Sequence, residues 1–145
     1  MQQDNSQIAK SLYDLFNSRD FSKAKSLISE LAVWSDISAD VKYRGQQCFQ
    51  HYAQNWLIAF PDGKVTIKNL INAGEFVVIE VVGAGTHTGP LSNSSGTIAP
   101  TGKKVQMNLC DVLRFQNGQL IDAHTYYDIA TLLRQLSVIA KLKAA

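Results

Sequence analysis

Apolar positions recur every three to four residues through the first third of the chain, and every second residue through most of the remainder. Ile8, Leu12, Leu15 and Phe16 share one helical face. Asp4 or Asn5 is placed to cap the first turn of that helix. The pattern breaks at Asn17-Ser18-Arg19-Asp20, and a second helix is expected beyond it with Phe21, Ala24, Leu27, Ile28 and Leu31 on its apolar side. Val33 to Ile37 and Asp40 to Tyr43 read as extended. A third helix follows Gly45 and carries Cys48, Phe49, Tyr52, Ala53, Trp56, Leu57 and Phe60 at helical spacing. Phe60-Pro61-Asp62-Gly63 stops it, since proline cannot continue the hydrogen-bond ladder and Asp-Gly favours a turn.

From Lys64 onward the pattern is that of strands. Lys64 to Asn72 alternates, with Val65, Ile67 and Leu70 inward, and Asn72-Ala73-Gly74 turns the chain. Phe76 to Val82 is rich in β-branched residues, as in a strand covered on both faces. Gly83 and Gly85 mark a bend. Gly89 to Gly102 is rich in Gly, Ser, Asn and Pro and reads as a loop over a pocket mouth. Val105 to Phe115 and Leu120 to Tyr127 are strands, and Asn117-Gly118 between them is the strongest hairpin signal in the chain. Asp128 to Lys141 closes the chain as a helix, with Asp128 suited to its N-cap. Helices first and antiparallel strands afterwards predict an α+β fold, with a curved mixed or antiparallel sheet wrapped on three N-terminal helices plus a short C-terminal helix.

Length and composition narrow the class. The 145 residues fit a single domain over residues 1–145, and 46% hydrophobic residues suffice for one core. A net charge of +2 without a basic stripe argues against nucleic acid as a partner. No apolar run is long enough to span a bilayer, and the polar start lacks a signal core. Cys48 and Cys110, with no CxxC spacing, read as reduced core thiols of a cytoplasmic protein.

A two-residue Asn117-Gly118 turn pairs Gln116 with Gln119. Counting outward, Phe115 then faces Leu120, Leu113 faces Asp122, Asp111 faces His124, Leu109 faces Tyr126 and Met107 faces Asp128. This side holds Met107, Leu109, Leu113, Phe115 and Leu120, so it is assigned to the hollow of the sheet. It also holds Asp111, Asp122, His124, Tyr126 and Asp128, too many ionisable groups for a dry core. Directly opposed residues have Cβ atoms about 5 Å apart, within reach of a carboxylate–imidazole hydrogen bond between Asp111 and His124. Two readings stand: a structural pair that pins the hairpin, or a pocket pair in which Asp111 orients His124. Asp128 likewise is either a plain N-cap or an acid/base group on the pocket wall.

Several stretches together resemble the SnoaL-like polyketide cyclase family, of the nuclear-transport-factor-2-like superfamily. They are Phe60-Pro61-Asp62, Gly85-Thr86-His87-Thr88-Gly89, Pro100-Thr101-Gly102-Lys103, Asp111-Val112-Leu113-Arg114-Phe115, Asn117-Gly118-Gln119-Leu120-Ile121, Asp128, and Leu132-Leu133-Arg134-Gln135-Leu136. The resemblance spans roughly residues 7 to 137 and rests on their order and spacing. It implies a cone-shaped fold, a homodimer, and an intramolecular aldol cyclisation that needs no metal or cofactor. It also implies an acid/base aspartate at the end of the last strand, here Asp128. His124 stands where the family often has Trp. Related epoxide hydrolases use an upstream Arg–Asp pair, and Leu109 occupies the position that would supply the Arg.

On this reading the catalytic candidates are Asp128, His124 and Asp111, with Asp128 as base and His124 polarising a carbonyl. The candidate ligand-binding residues are Tyr126, Met107, Leu109, Trp56, Tyr52, Phe49, Tyr43 and His87. For Phe49, Tyr52 and Trp56 the core is the plainer role, and for His87 a loop anchor. The three histidines show no metal-ligand spacing. The expected function is a cofactor-independent cyclase or isomerase acting on a small, apolar, oxygenated molecule. The alternatives are a non-catalytic binder that uses the same pocket and a dimeric interaction module that uses the outer sheet face. The expected partners are a small organic ligand and a second copy of the chain.

Overall fold

The computed structural model describes residues 4–139. Helix α1 (Asn5–Ser18) starts where the Asp4 carboxylate accepts the Ser6 N–H at 2.9 Å, and ends where Arg19 turns left-handed at φ 66°. Its buried face is Ile8, Ala9, Leu12, Tyr13 and Phe16. The expected second helix is reduced to two 3₁₀ turns, Phe21–Lys23 and Lys25–Leu27. Ile28 already opens strand β1 (Ile28–Asp36). Strand pairing prevails there over a weak helical spacing: Ala32, Trp34 and Asp36 alternate inward, and Leu31, expected on an apolar face, is 87% exposed.

Strand β2 (Val41–Arg44) folds back on β1, and helix α2 (Cys48–Ala59) crosses behind them. Strands β3 (Lys64–Ala73) and β4 (Phe76–Thr86) form a hairpin. The loop expected over 89–102 contains a small hairpin of its own, β5 (Leu91–Asn93) and β6 (Gly96–Ile98). It is pinned to the end of α2: the Thr88 and Gly89 N–H groups both bond the Ala59 carbonyl at 3.1 Å. Gly89 passes so close to α2 that a Cβ there would lie 1.9 Å from the Ile58 carbonyl oxygen. Strands β7 (Lys104–Gln116) and β8 (Gln119–Tyr127) follow, then α3 (Ile129–Gln135). That helix is shorter than expected, and the last two residues of the expected range, Ala140 and Lys141, lie outside the described residues.

The six long strands lie in the order β2-β1-β8-β7-β4-β3, antiparallel except for β1 beside β8. The architecture is α+β, an open curved sheet with helices against its hollow face, as the element order predicts. Helix α1 covers β3 and β4, while α2 covers β1 and β2. Between them lies a core that includes Leu12, Phe16, Trp34, Phe49, Ile79, Leu113 and Phe115.

The β7–β8 hairpin turns at Asn117 (φ 52°) and Gly118 (φ 73°), the geometry Asn-Gly favours. Gln116 pairs with Gln119 and Phe115 with Leu120, as counted from the turn. Ile121 is then an extra residue on β8, and the register slips by one. Beyond this bulge Arg114 pairs with Asp122, Leu113 with Ala123, Val112 with His124, Asp111 with Thr125, and Leu109 with Tyr127. The expected Asp111–His124 pairing is therefore not made. The bulge adds the twist the sheet needs to curl, and it also reverses which side of β8 faces the hollow.

Candidate functional site

The curl brings one lateral row of inward side chains across the middle of the sheet. Leu70 on β3 pairs with Ile79 on β4, Ile79 with Asp111 on β7, Asp111 with Thr125 on β8, and Thr125 with Asp36 on β1. Two carboxyl groups thus lie in an apolar row, separated by one threonine and so by about two strand spacings, roughly 10 Å. Asp111 is 3% exposed and Asp36 4%.

Asp111 stands at the wall of a cavity of about 70 Å³ enclosed between α1, α2 and the sheet. Around it are Tyr13 and Phe16 from α1, Phe49, Tyr52 and Trp56 from α2, Trp34 from β1, and Met107 and Leu109 from β7. The Tyr13 hydroxyl donates to Asp111 Oδ2. Asp111 Oδ1 is buried and makes no hydrogen bond of ordinary geometry among the described residues. Burial pushes the Asp111 carboxyl up to about 6; the Tyr13 and Thr125 hydroxyls pull it back, and the Asp36 charge adds to the rise. Tyr13 and Tyr52 are themselves driven well above the ordinary tyrosine value by burial and by the Asp111 charge, so both stay protonated donors. Trp34 Nε1–H donates to Thr125 Oγ1 at 2.9 Å, and Tyr52 stacks on Trp34 with ring centres 4.8 Å apart. These contacts fix the wall beside Asp111.

Asp36 lies outside that lining and is held by polar partners of its own. Its Oδ1 accepts the Ala39 N–H at 3.0 Å and its Oδ2 accepts the Tyr127 hydroxyl at 3.2 Å. Burial raises it to about 6 against both of these bonds. Tyr127 packs edge-on against Trp56, which lines the cavity.

Of the residues singled out from sequence, Asp111, Phe49, Tyr52, Trp56, Met107 and Leu109 line the cavity together. The bulge turns His124 and Tyr126 outward. His124 Nε2 lies 3.1 Å from Asp122 Oδ2 on the outer face, and Tyr126 is 43% exposed. Asp128 is exposed and caps α3, with Oδ1 accepting from Ala130 and Thr131 N–H and Oδ2 from the Thr131 hydroxyl. Those bonds hold its carboxyl below the usual range, opposite to the upward shift expected of a buried base. Tyr43 stands outside the lining and meets Tyr52 edge-on at 6.1 Å. His87 is fully buried against Phe60 and anchors the 88–103 segment: its Nδ1 accepts the Thr101 N–H at 3.1 Å.

Tyr13, Thr125 and Asp36 were not legible as site residues. Tyr13 follows Ala9 by four positions and precedes Phe16 by three, which places it on the buried face. Trp34 and Asp36 alternate on β1. Those spacings were signals for burial, but not for partners on distant strands.

The cavity extends to the end of the sheet where β3 and β7 begin and β4 ends. A surface groove of about 650 Å³ at that end has Lys64, Ala84, Gly85 and Val105 as wall residues in common with it. No candidate metal cluster of three or more His, Cys, Asp or Glu occurs among the described residues. No helix among them is long and apolar enough to cross a membrane.

The family described as SnoaL-like polyketide cyclase matches residues 6–136. No curated protein matches the chain. Among solved structures, wild-type IdmH from Streptomyces antibioticus, a candidate polyketide cyclase, is 25% identical with a TM-score of 0.76; 93% of this chain and 99% of that one are covered. A candidate SnoaL-like polyketide cyclase from Jannaschia sp. CCS1 is 17% identical with a TM-score of 0.81, over 94% and 93%. A hypothetical protein from Catenulispora acidiphila with a ketosteroid isomerase-like fold, solved with trimethylamine, is 16% identical with a TM-score of 0.73, over 90% and 92%.

Proposed function

The chain belongs to the SnoaL-like polyketide cyclase family, and from that premise we propose that it moves a proton at a carbon beside a carbonyl of a polyketide-like molecule, without a metal or cofactor, using Asp111 as acid and base. One observation carries the reading: Asp111 is a buried carboxyl on the wall of an aromatic cavity, and its Oδ1 makes no hydrogen bond of ordinary geometry among the described residues. An unsatisfied buried charge is costly, and such costs cluster where chemistry needs them.

In the proposed step Asp111 Oδ1 takes the proton from the C–H. The C–H electron pair moves into the carbonyl as an enolate, whose oxygen accepts a hydrogen bond from Tyr52. For ring closure the enolate carbon attacks a second carbonyl of the same chain, and Asp111 returns its proton to the alkoxide that forms. Tyr13 keeps its bond to Oδ2 throughout and fixes the direction in which Oδ1 points. A carboxyl raised to about 6 is largely ionised at pH 7 and still close enough to neutrality to be a useful base. This assignment moves the acid/base role from Asp128, which faces solvent as a cap, to Asp111.

The test is deuterium uptake by 2-tetralone in D₂O, followed by NMR. The protein is expected to accelerate uptake over buffer, and Asp111→Asn to lose about 10²- to 10⁴-fold of that acceleration, while Asp128→Asn stays within a few fold. An Asp111→Asn protein that exchanges as fast as the parent would refute the assignment.

A non-catalytic carrier is the second reading, and the nearly all-apolar wall of the cavity favours it. It predicts tight binding of the ketone with no exchange above buffer. Either way, we propose that the protein works as a homodimer joined through the outer face of the sheet, where Ile71, Phe76 and Tyr126 are about half exposed.

A further inference from the structure

We propose that Gly83 sets which ligands the cavity accepts: the space in front of its missing side chain holds the apolar far end of an elongated ligand whose carbonyl end lies at Asp111. This rests on the reading of the aromatic cavity as the ligand chamber.

Gly83 breaks the pattern of its own strand. The inward positions of β4 run Val77, Ile79, Val81 and then Gly83. Val77, Ile79 and Val81 are buried. A glycine inside a strand weakens it, because the unfolded chain has more freedom to lose there and no side chain packs. The usual local reasons for one are absent at this position. Its φ lies outside the left-handed region. The register runs unbroken through it on both sides, with Val65 of β3 and Met107 of β7 as partners, so it marks no bulge.

Nor does a neighbouring element need the room. A Cβ on Gly83 would meet Leu109 Cδ1 at 3.3 Å and nothing else within 4 Å beyond its own chain neighbours. Gly85 and Gly89 are of another kind. A Cβ at Gly85 would lie 2.9 Å from Phe60 Cβ, and one at Gly89 1.9 Å from the Ile58 carbonyl oxygen, so both are small to let the end of α2 approach. What stands in front of Gly83 is the cavity itself, whose lining includes Val65, Val81, Gly83, Met107 and Leu109.

The place of Gly83 along the cavity decides which part of a ligand it meets. Asp111 pairs with Ile79 on β4, and Gly83 is four residues further, about 13 Å along the strand. A ligand with its carbonyl at Asp111 therefore reaches Gly83 only with its far end. The inward side chains around that end, Val65, Val81, Met107 and Leu109, are all apolar. They offer a charged group no partner, so the group they take is hydrocarbon, a chain or a ring. Valine at position 83, as at 77 and 81, would complete the apolar row and occupy the same space.

Isothermal titration calorimetry with 2-hexanone and 6-phenyl-2-hexanone tests this, since the two share the ketone end and differ by a ring at the far end. The parent protein is expected to bind the phenyl ketone about ten- to hundredfold more tightly. Gly83→Val should shrink that gap to about threefold or less, and Gly83→Ala should leave an intermediate one. Gly83→Ala is also expected to melt about 1–4 °C higher than the parent, because alanine fits the backbone there and restricts the unfolded chain. A glycine required for the path of the strand would instead lower the melting temperature. A Gly83→Val protein that keeps the gap, one that loses both ketones in equal proportion, a lower melting temperature for Gly83→Ala, or a parent that binds neither ketone or both alike overturns the proposal. Deuterium uptake by the same ketones reads Asp111 separately: a parent that shows the gap but exchanges neither ketone above buffer keeps the role of Gly83 and removes that of Asp111.

Discussion

Asp111 concentrates the chemistry and also a stability cost. An unfolded aspartate titrates near about 3.9, and burial lifts the folded group to about 6. Between those values the native state binds more protons than the unfolded chain, so this residue's contribution favours folding at low pH and is lost as pH rises through about 6. Asp111→Asn keeps an oxygen for the Tyr13 hydroxyl and removes the buried charge. It is expected to be more stable than the parent at pH 7.5 by on the order of 1–3 kcal/mol, with the advantage gone near pH 4; urea melts at the two pH values measure it. The same titration sets the activity profile. Ketone exchange should climb with pH through about 6 and then level, because the carboxylate form is the base. The sequence showed Asp111 as an ionisable group on the hollow side of a hairpin. It did not show Tyr13, which lies 98 positions away and meets Asp111 only after α1 docks on the sheet.

At the scale of elements, the bulge at Ile121 decides the composition of the site. With it, Ala123, Thr125 and Tyr127 face inward and His124 and Tyr126 outward; without it the reverse would hold. Alternation in the sequence supports either register, because Leu120, Asp122, His124 and Tyr126 alternate as regularly as Ile121, Ala123, Thr125 and Tyr127. The turn residues fixed the first two pairs only. A second element-level device is the His87 anchor. Its Nδ1 lone pair accepts the Thr101 N–H, its carbonyl accepts the Gly102 N–H at 2.8 Å, and burial lowers its pKa. A proton on Nδ1 would set two donors against each other. The folded pKa lies below the unfolded one, so the anchor is intact at neutral pH and weakens as pH falls below about 6.5. Hydrogen exchange of the Thr101 and Gly102 amides, corrected for intrinsic rates, should lose protection by at least several-fold between pH 7 and pH 5. His87→Leu should flatten that dependence.

For the whole molecule, the outer face of the sheet carries an apolar stripe among charged and polar neighbours. Ile71 pairs with Val78, Val78 with Val112, and Val112 with His124, a stripe across four strands flanked by exposed Phe76 and Tyr126. Sedimentation equilibrium should give a dimer at micromolar concentration. Val112→Lys, at the centre of the stripe, should weaken association by 100-fold or more with circular dichroism unchanged. A monomeric parent protein would reject this face as an interface. Because the catalytic candidate lies on the opposite, hollow face, the monomeric variant should keep most of its ketone exchange.

The sequence by itself determined the kind and order of most of the elements, the Asn117-Gly118 turn, a cap at Asp4 or Asn5, the apolar faces of α1 and α2, and the family. Each of these depends on residues close together along the chain or on a pattern of conserved period. Only the tertiary structure decided that the second helix gives way to β1, that Ile121 bulges, that Asp128 remains a cap, and that Asp36, Thr125, Asp111 and Tyr13 converge. Those outcomes turn on how far the sheet must curl to close over two helices, and that curvature comes from all the strands packing together.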